Sequence, residues 1–341
     1  MANLIISEVC NFHCPYCFSS TSSIIRANHK GDGKQTNFID IIEFQKRLEF
    51  LHLSHIDEIR LIGGEPTLHP QFREILALAA SRQKRVVVFS HGIVSQTVLK
   101  CLHSYSPELL TVLVNMNAVR RADVFPDLDA ARRENVINRL GNRALLGYTI
   151  DRVDFEIDSL IPLVIKNRCI AKIRLGLAHP VLVGTNQFLH PKQYTAVGNK
   201  ITNFVVDAAA QGIKVEFDCG FVRCMFSNQD IDRLQKVGIE LGWRCNPIMD
   251  ISLDDQIYHC FPLAIKYKIP FNYTLTANHF RAILIDETSP YRQTGIYKEC
   301  STCPFKRSSE CAGGCLSTTI RRFARANQHL VVQMNGGDKH V

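Results

Sequence analysis

Cys10, Cys14 and Cys17 share one short stretch, Cys10-Asn11-Phe12-His13-Cys14-Pro15-Tyr16-Cys17, directly after the apolar run Leu4-Ile5-Ile6. Three thiolates on one loop can hold three irons of a [4Fe–4S] cube, because such clusters are bound through Cys sulfur. The fourth iron is then free of protein ligands, and an open position is where a metal does chemistry. A structural zinc ion is the alternative. It needs a fourth ligand, for which the loop offers His13.

Eight more cysteines gather towards the other end: Cys219, Cys224, Cys245, Cys260, Cys300, Cys303, Cys311 and Cys315. The last four read Cys-x2-Cys-x7-Cys-x3-Cys, a density that points to metal, and eight thiols suffice for two four-sulfur sites. Tetrahedral sulfur sites suit zinc and iron–sulfur centres alike. Cys101 and Cys169 stand alone, as small buried hydrophobes do. Thirteen cysteines, mostly in short spacings, read as metal ligands in a reducing compartment rather than as disulfides.

Something must position these residues. The apolar pattern predicts strands at Asn3–Ser7, 56–62, 85–89, 109–114, 145–150 and 172–177. Helical stretches at 38–53, 71–81, 95–104, 128–140 and 158–167 separate them, and a longer one at 192–211 follows. Strands alternating with helices argue for βαβ units and a parallel sheet. Six repeats fit a partial barrel better than a full eight-stranded one, with a doubly wound open sheet as the alternative. Residues 19–37 read as a long loop rich in Ser, Asn, Gly and Lys. A strand at 214–218 opens a region where the alternation stops, so the boundary falls near residue 212. The tail beyond about 327 is expected to fray.

In parallel α/β folds the active site lies on loops at the C-terminal ends of the strands. The Cys loop follows strand one and Gly63-Gly64-Glu65-Pro66 follows strand two. Paired glycines let backbone approach a ligand closely, and the carboxylate can meet an ammonium group. Ser90-His91-Gly92 follows strand three, and Asn115 and Asn117 follow strand four.

The Cys-x3-Cys-x2-Cys loop, with Tyr16 before its last Cys, resembles that of radical S-adenosylmethionine (radical SAM) enzymes. The resemblance implies an α/β fold, a partial (β/α)6 TIM-like barrel, with a [4Fe–4S] cluster on Cys10, Cys14 and Cys17. SAM would chelate the open iron and be cleaved by an electron to a 5′-deoxyadenosyl radical, which takes a hydrogen atom from the substrate. Gly63-Gly64-Glu65-Pro66 is similar to the family motif that binds the SAM amino group. Ser90 would hydrogen-bond SAM, and Asn115 or Asn117 would take ribose hydroxyls or the carboxylate. The family's Gly-x-Ile-x-Gly pattern is absent; Arg174-Leu175-Gly176-Leu177 matches it only in part, which leaves the adenine contacts unassigned.

The Cys-rich end resembles the SPASM extension of these enzymes, which carries two auxiliary [4Fe–4S] clusters. It departs from the pattern in its middle gap of seven rather than five, and in having no Cys after Cys315. By analogy Cys315 joins Cys245, Cys260 and one of Cys219 or Cys224, leaving Cys300, Cys303 and Cys311 with an unassigned fourth ligand. A shorter relative holding one auxiliary cluster is the alternative. The expected organisation is a radical SAM barrel over 1–212 and a SPASM-like auxiliary-cluster domain over 213–341.

The 341 residues carry 46% hydrophobic and 21% charged side chains, ordinary for a globular protein. No run is long and apolar enough for a membrane span, and no signal peptide precedes Cys10, so the expectation is a cytoplasmic protein. The net charge of +8 comes without a basic run, so nucleic acid is not an expected partner. The resemblance implies an oxidising radical SAM enzyme acting in peptide maturation by crosslinking or side-chain oxidation, with auxiliary clusters accepting the electron. The alternative enzyme is a dehydrogenase or epimerase acting on a sugar, nucleoside or amino-acid derivative. A non-catalytic iron–sulfur carrier is the distant alternative, and Gly63–Pro66 argues against it. Expected partners are an electron donor such as flavodoxin or ferredoxin and, since the cluster loop begins so early, a separate peptide-recognition protein.

Overall fold

In the computed structural model, residues 1–18, 37–117, 126–240 and 243–324 are described. The loop expected at 19–37 and the tail beyond 327 lie almost wholly outside them. Each expected strand of the alternation forms: β1 Ala2–Ser7, β2 Glu58–Gly63, β3 Arg85–Ser90, β4 Leu110–Asn115, β5 Ala144–Ile150 and β6 Lys172–Leu177. Between them lie α1 Ile41–Leu53, α2 Phe72–Ser81, α3 Gln96–His103, α4 Pro126–Leu140 and α5 Leu160–Lys166, and α6 Tyr194–Ala210 follows. Two of these helices start where short polar side chains cap them: Asp40 accepts from Ile42 N, and Ser95 from Val98 N.

The strand expected at 214–218 forms as β7, Lys214–Phe217, but it continues the alternation's sheet, paired in parallel with β6, so hydrogen bonding runs past residue 212. Three further strands, β8 Asp250–Ile251, β9 Gln256–Tyr258 and β10 Lys268–Pro270, add to the opposite edge beside β1. Among the described residues they form one sheet in the order β10-β9-β8-β1-β2-β3-β4-β5-β6-β7. The sheet curls as a partial barrel and does not close on itself. Sequence patterning missed β8–β10 because strands of two or three residues show no periodicity. The rest of the Cys-rich part holds α7 Asn228–Lys236, α8 Ala277–Arg292 and α9 Pro304–Arg307.

Every residue of β1 is buried, as a strand covered on both faces should be. Ala2, Leu4 and Ile6 join the main core with the helices. Ile5 belongs instead to a second cluster with Ile62, Tyr258 and Ala264, against which Phe89 and Phe261 pack. The C-terminal part thus covers the inner wall of the barrel next to β1.

Asp250 is the polar link in that seam. It is 2% exposed and accepts a 2.6 Å hydrogen bond from Asn3 Nδ2. Burial pushes its carboxyl up to about 7. The folded chain therefore keeps a proton that the unfolded chain has already lost, and this group removes stability as pH rises from about 4 towards 7. An Asp250→Asn variant keeps the acceptor without the charge. Its urea midpoint is expected to exceed that of the parent protein at pH 8, with the gain shrinking as pH approaches 4.

Candidate functional site

The Cys loop leaves β1 at an irregularity between Ile5 and Ser7, where the register with β2 shifts. Ser7 Oγ accepts from Val9 N at 3.1 Å. The amides of Gly64 and Glu65 then donate to Ser7 O and Val9 O, each at 2.8 Å. This approach is why glycine stands at 63 and 64. A Cβ on Gly63 would lie 1.8 Å from Ser7 O, and one on Gly64 would lie 2.4 Å from Val9 O and 3.0 Å from Cys10 Cβ. The sequence reading expected the glycines to make room for a ligand; in the structure the backbone they admit is the Cys loop's own.

Glu65 and Pro66 have equally local roles. Glu65 caps the short turn Pro66–Leu68, its Oε1 accepting from Thr67 N at 3.2 Å and Thr67 Oγ1 at 2.6 Å. Pro66 takes the first position of that turn, where its missing N–H costs nothing. The other carboxylate oxygen accepts from His91 N at 3.0 Å. Glu65 is 1% exposed and already engaged. Ser90, 5% exposed, accepts from Gly92 N at 3.0 Å, which caps the loop after β3.

His91 carries the network back to the cysteines. Its Nε2 meets Asn11 Oδ1 at 2.8 Å, and its ring stacks at a tilt on Phe12 with centroids 4.2 Å apart. Tyr16 is buried, hydrogen-bonds Cys14, and accepts from Asn115 Nδ2 at 3.1 Å. Burial and the Cys14 sulfur push the Tyr16 phenol well up. Asn117 is fully occupied elsewhere, exchanging two 2.8 Å hydrogen bonds with the Thr149 backbone. From beyond β6, Asn186 donates to Tyr16 O, and Gln187 N donates to Pro15 O at 2.7 Å.

Cys10, Cys14 and Cys17 are free thiols in this frame. Cys17 N donates to Cys14 O at 3.0 Å, closing a tight turn. Burial raises the Cys10 thiol to about 11, with the Cys17 and Cys14 sulfurs adding to the shift. Burial and then Cys17 raise Cys14. Among the described residues no three His, Cys, Asp or Glu converge closely enough to hold a single metal ion. A cube that gives each thiolate its own iron needs a wider spread of sulfurs, and its positive charge reverses the preference for the neutral thiol. Phe12 N–H already points at Cys10 Sγ, at 3.4 Å, as amides do around cluster sulfurs. The three residues fit a [4Fe–4S] cluster.

Sequence reasoning missed Arg133. This α4 residue is 4% exposed, its Nε donates to His91 O at 2.8 Å, and its guanidinium lies 6.0 Å from the Phe12 ring centre. Among the described residues its buried Nη2 has no hydrogen-bond partner. The signal was present: Arg133 sits on the buried stripe Asp129, Arg133, Val136, Ile137, Leu140, where helical periodicity calls for an apolar side chain. Arg174, left open between a ligand and a charge on the barrel, pairs with Asp218 at 2.7 Å and lies over Phe89.

The eight C-terminal cysteines form no disulfides. Cys224, Cys300, Cys303 and Cys311 line one cavity, and Cys245 and Cys260 pack against a separate cluster with Leu263, Tyr267, Leu316 and Ile320. His179 hydrogen-bonds Cys219. Cys169 is buried and isolated, its thiol raised to about 11 by burial alone.

Residues 4–153 match the radical SAM superfamily. That stretch is similar to a radical SAM domain. Such a domain implies a [4Fe–4S] cluster and SAM. Part of the chain is similar to GTP 3′,8-cyclases: 29% identical over 92 residues to that of Vibrio vulnificus (strain YJ016), covering 26% of this chain and 25% of the relative. It is 27% identical over 120 residues to that of Stenotrophomonas maltophilia, covering 35% and 34%. The chain thus spans about a quarter to a third of the length of these relatives. Over the whole fold it resembles Streptococcus suis SuiB bound to precursor peptide SuiA, with TM-score 0.65, 14% identity, and 94% and 72% of the two chains covered. It also resembles native anSMEcpe with bound AdoMet and Kp18Cys peptide, with TM-score 0.62, 14% identity, and 92% and 89% covered. Among the described residues no helix is long and apolar enough to cross a membrane.

The contact of Gly64 with the Cys loop yields a prediction. Gly64→Ala drives a methyl into Val9 O and Cys10, so anaerobically reconstituted protein is expected to lose about four irons relative to the parent. Unchanged iron content would mean that the loop does not depend on this approach.

Proposed function

We propose that the chain is a radical SAM oxidoreductase that removes a hydrogen atom from a peptide side chain, in crosslink formation or side-chain oxidation, with auxiliary clusters taking up the electron. The observation that carries the reading is the Cys10-Cys14-Cys17 loop, locked by Gly64, His91 and Asn186 over the C-terminal ends of a parallel barrel sheet inside a stretch similar to a radical SAM domain. When bound, the cluster and SAM together supply an electron and a 5′-deoxyadenosyl radical.

The chain's own residues hold and shield. Cys10, Cys14 and Cys17 ligate the cluster and leave one iron for the methionine part of SAM. The edge of Gly63–Gly64–Glu65–Pro66 facing the Cys loop takes the SAM amino group through backbone, since the Glu65 carboxylate is engaged with Thr67 and His91. Asn115, and Ser90 next to it, line the strand ends where the nucleoside lies. Arg133, with one nitrogen unpartnered and the rest of its side chain fixed on His91 and Phe12, meets the SAM carboxylate. Tyr16 packs the inner wall of the loop, and the Ile5–Ile62–Tyr258 cluster keeps water from the barrel interior beside it.

Residues 1–212 and 213–341 divide by chemistry, cofactor cleavage in the first and auxiliary metal in the second, although β7 continues the first part's sheet. Two fold relatives whose structures contain peptides support a peptide substrate. The GTP 3′,8-cyclase similarity covers too little of the chain to favour a nucleotide.

Two measurements test the reading. Dithionite-reduced protein is expected to convert SAM to 5′-deoxyadenosine and methionine in equal amounts, and a Cys10/Cys14/Cys17→Ala variant to form neither. Arg133→Met is expected to weaken SAM binding about 10- to 100-fold, the worth of one charge-assisted hydrogen-bonded pair, with iron content unchanged. Cleavage by the triple variant would overturn the assignment.

A further inference from the structure

The eight C-terminal cysteines alternate along the chain in a way that spacing does not show. Cys219 and Cys224 are near neighbours in sequence, yet different sulfurs surround them. Cys224 lines one cavity with Cys300, Cys303 and Cys311, whereas Cys219 lies beside His179, whose neighbour Pro180 accepts from Ser317, just after Cys315. The residues between explain the parting. Phe221 and Val222 are each 1% exposed in the main core, and driving them inward leaves one cysteine on either side of the plug.

The same happens between Cys311 and Cys315. Gly313 and Gly314 both have positive φ, +82° and +86°, and a Cβ on Gly314 would lie 2.8 Å from Ile296. Two successive left-handed residues turn the chain so that Cys311 and Cys315 serve different sets; other residues there would be strained. Cys224, Cys300, Cys303 and Cys311 line one cavity of about 210 Å³. Cys219, Cys245, Cys260 and Cys315 form the other set: Cys245 and Cys260 pack against one cluster with Leu316, the residue after Cys315, and Arg292 bridges Cys245 O and His259, the residue before Cys260.

We infer that the two sets are two complete four-thiolate metal centres: Cys224 closes the centre of Cys300, Cys303 and Cys311, and Cys219 closes that of Cys245, Cys260 and Cys315. This deepens the auxiliary-cluster reading above and rests on it for the identity of the metal. The resemblance to the SPASM pattern places a closing ligand after Cys315; here it comes from upstream, from the turn behind β7. A centre whose metal positions all carry thiolates has none open to a substrate, and open positions are what ligand-binding metal sites keep. The substrate therefore meets neither centre as a ligand.

The test uses the full chain with Cys10, Cys14 and Cys17 replaced by Ala, which isolates the C-terminal metal. After anaerobic reconstitution, metal content, Mössbauer and EPR spectra are recorded for this parent and for added substitutions. The parent is expected to hold about eight irons. Cys224→Ala is expected to damage one centre, read as loss of about four irons or as a [3Fe–4S] EPR signal. Adding Cys300→Ala damages no more, because both ligands belong to the same centre. Adding Cys219→Ala instead damages the second centre as well. Both centres intact in Cys224→Ala, or two damaged centres in Cys224/Cys300→Ala, would overturn the ligand sets. A parent holding zinc and no iron would overturn the proposal and the iron–sulfur reading together, because among the described residues no three His, Cys, Asp or Glu side chains converge closely enough for a single ion.

Discussion

The top of this barrel depends on how closely the ends of β1 and β2 approach. Two residues without side chains let the Gly64 and Glu65 amides reach Ser7 O and Val9 O. That contact extends the pairing of the two strands past the irregularity at Ser7 and carries Cys10 over the end of β2. The Cys loop is thus held by backbone, whose hydrogen bonds fix position more tightly than long side chains, which lose rotamer freedom when ordered. A side chain at either glycine would have to push the loop away, because its first contact is a carbonyl oxygen and not a flexible tip.

From that contact the network runs outward in one direction. Glu65 is fixed because Gly64 is fixed, and its carboxylate then reaches the loops after β2 and β3 at once. A buried carboxyl group is costly unless its oxygens are hydrogen-bonded, and Thr67 and His91 supply those bonds. His91 passes the constraint to Asn11 and Phe12, and Arg133 fixes His91 from α4. Asn186 and Gln187 hold the opposite side of the loop. The three cysteines sit at the centre of this network, with Phe12 N–H aimed at Cys10 Sγ and Tyr16 against Cys14.

The sequence carried the alternation of β1–β6 with α1–α6 because each element is long enough to show its period. It carried the Cys triad and the Gly63–Pro66 turn because the residue types are rare in that combination. For the turn it offered Gly63 and Gly64 as room for a ligand and Glu65 as a partner for an ammonium group; the structure adds that the glycines admit the Cys loop's backbone and that Thr67 and His91 hydrogen-bond Glu65. Which backbone fills a gap is a tertiary fact, invisible to spacing. Arg133 was legible in principle, as a cation on an apolar helical stripe, but a single such residue is weighed only once its neighbours are known. The partition of Cys219 from Cys224 rests on a buried Phe-Val plug, which patterning sees as one more hydrophobic pair.

The two thiol sets also bear on why an open barrel is stable. β7 is one edge of the sheet, and β8 to β10 form the other. Among the described residues no ladder joins these edges, and edge strands without partners are a liability. Cys219 follows β7 directly, whereas Cys260 follows β9 and Cys245 precedes β8. The set proposed for them with Cys315 therefore draws on both edges. Metal held by that set would clasp the two edges, and its binding free energy would become folding free energy for that seam. The second set, Cys224 with Cys300, Cys303 and Cys311, draws only one ligand from the turn behind β7 and three from the chain after α8, so it fastens a peripheral loop. On this argument the two proposed centres would differ mechanically: one would close the barrel, and the other would fasten a loop outside it.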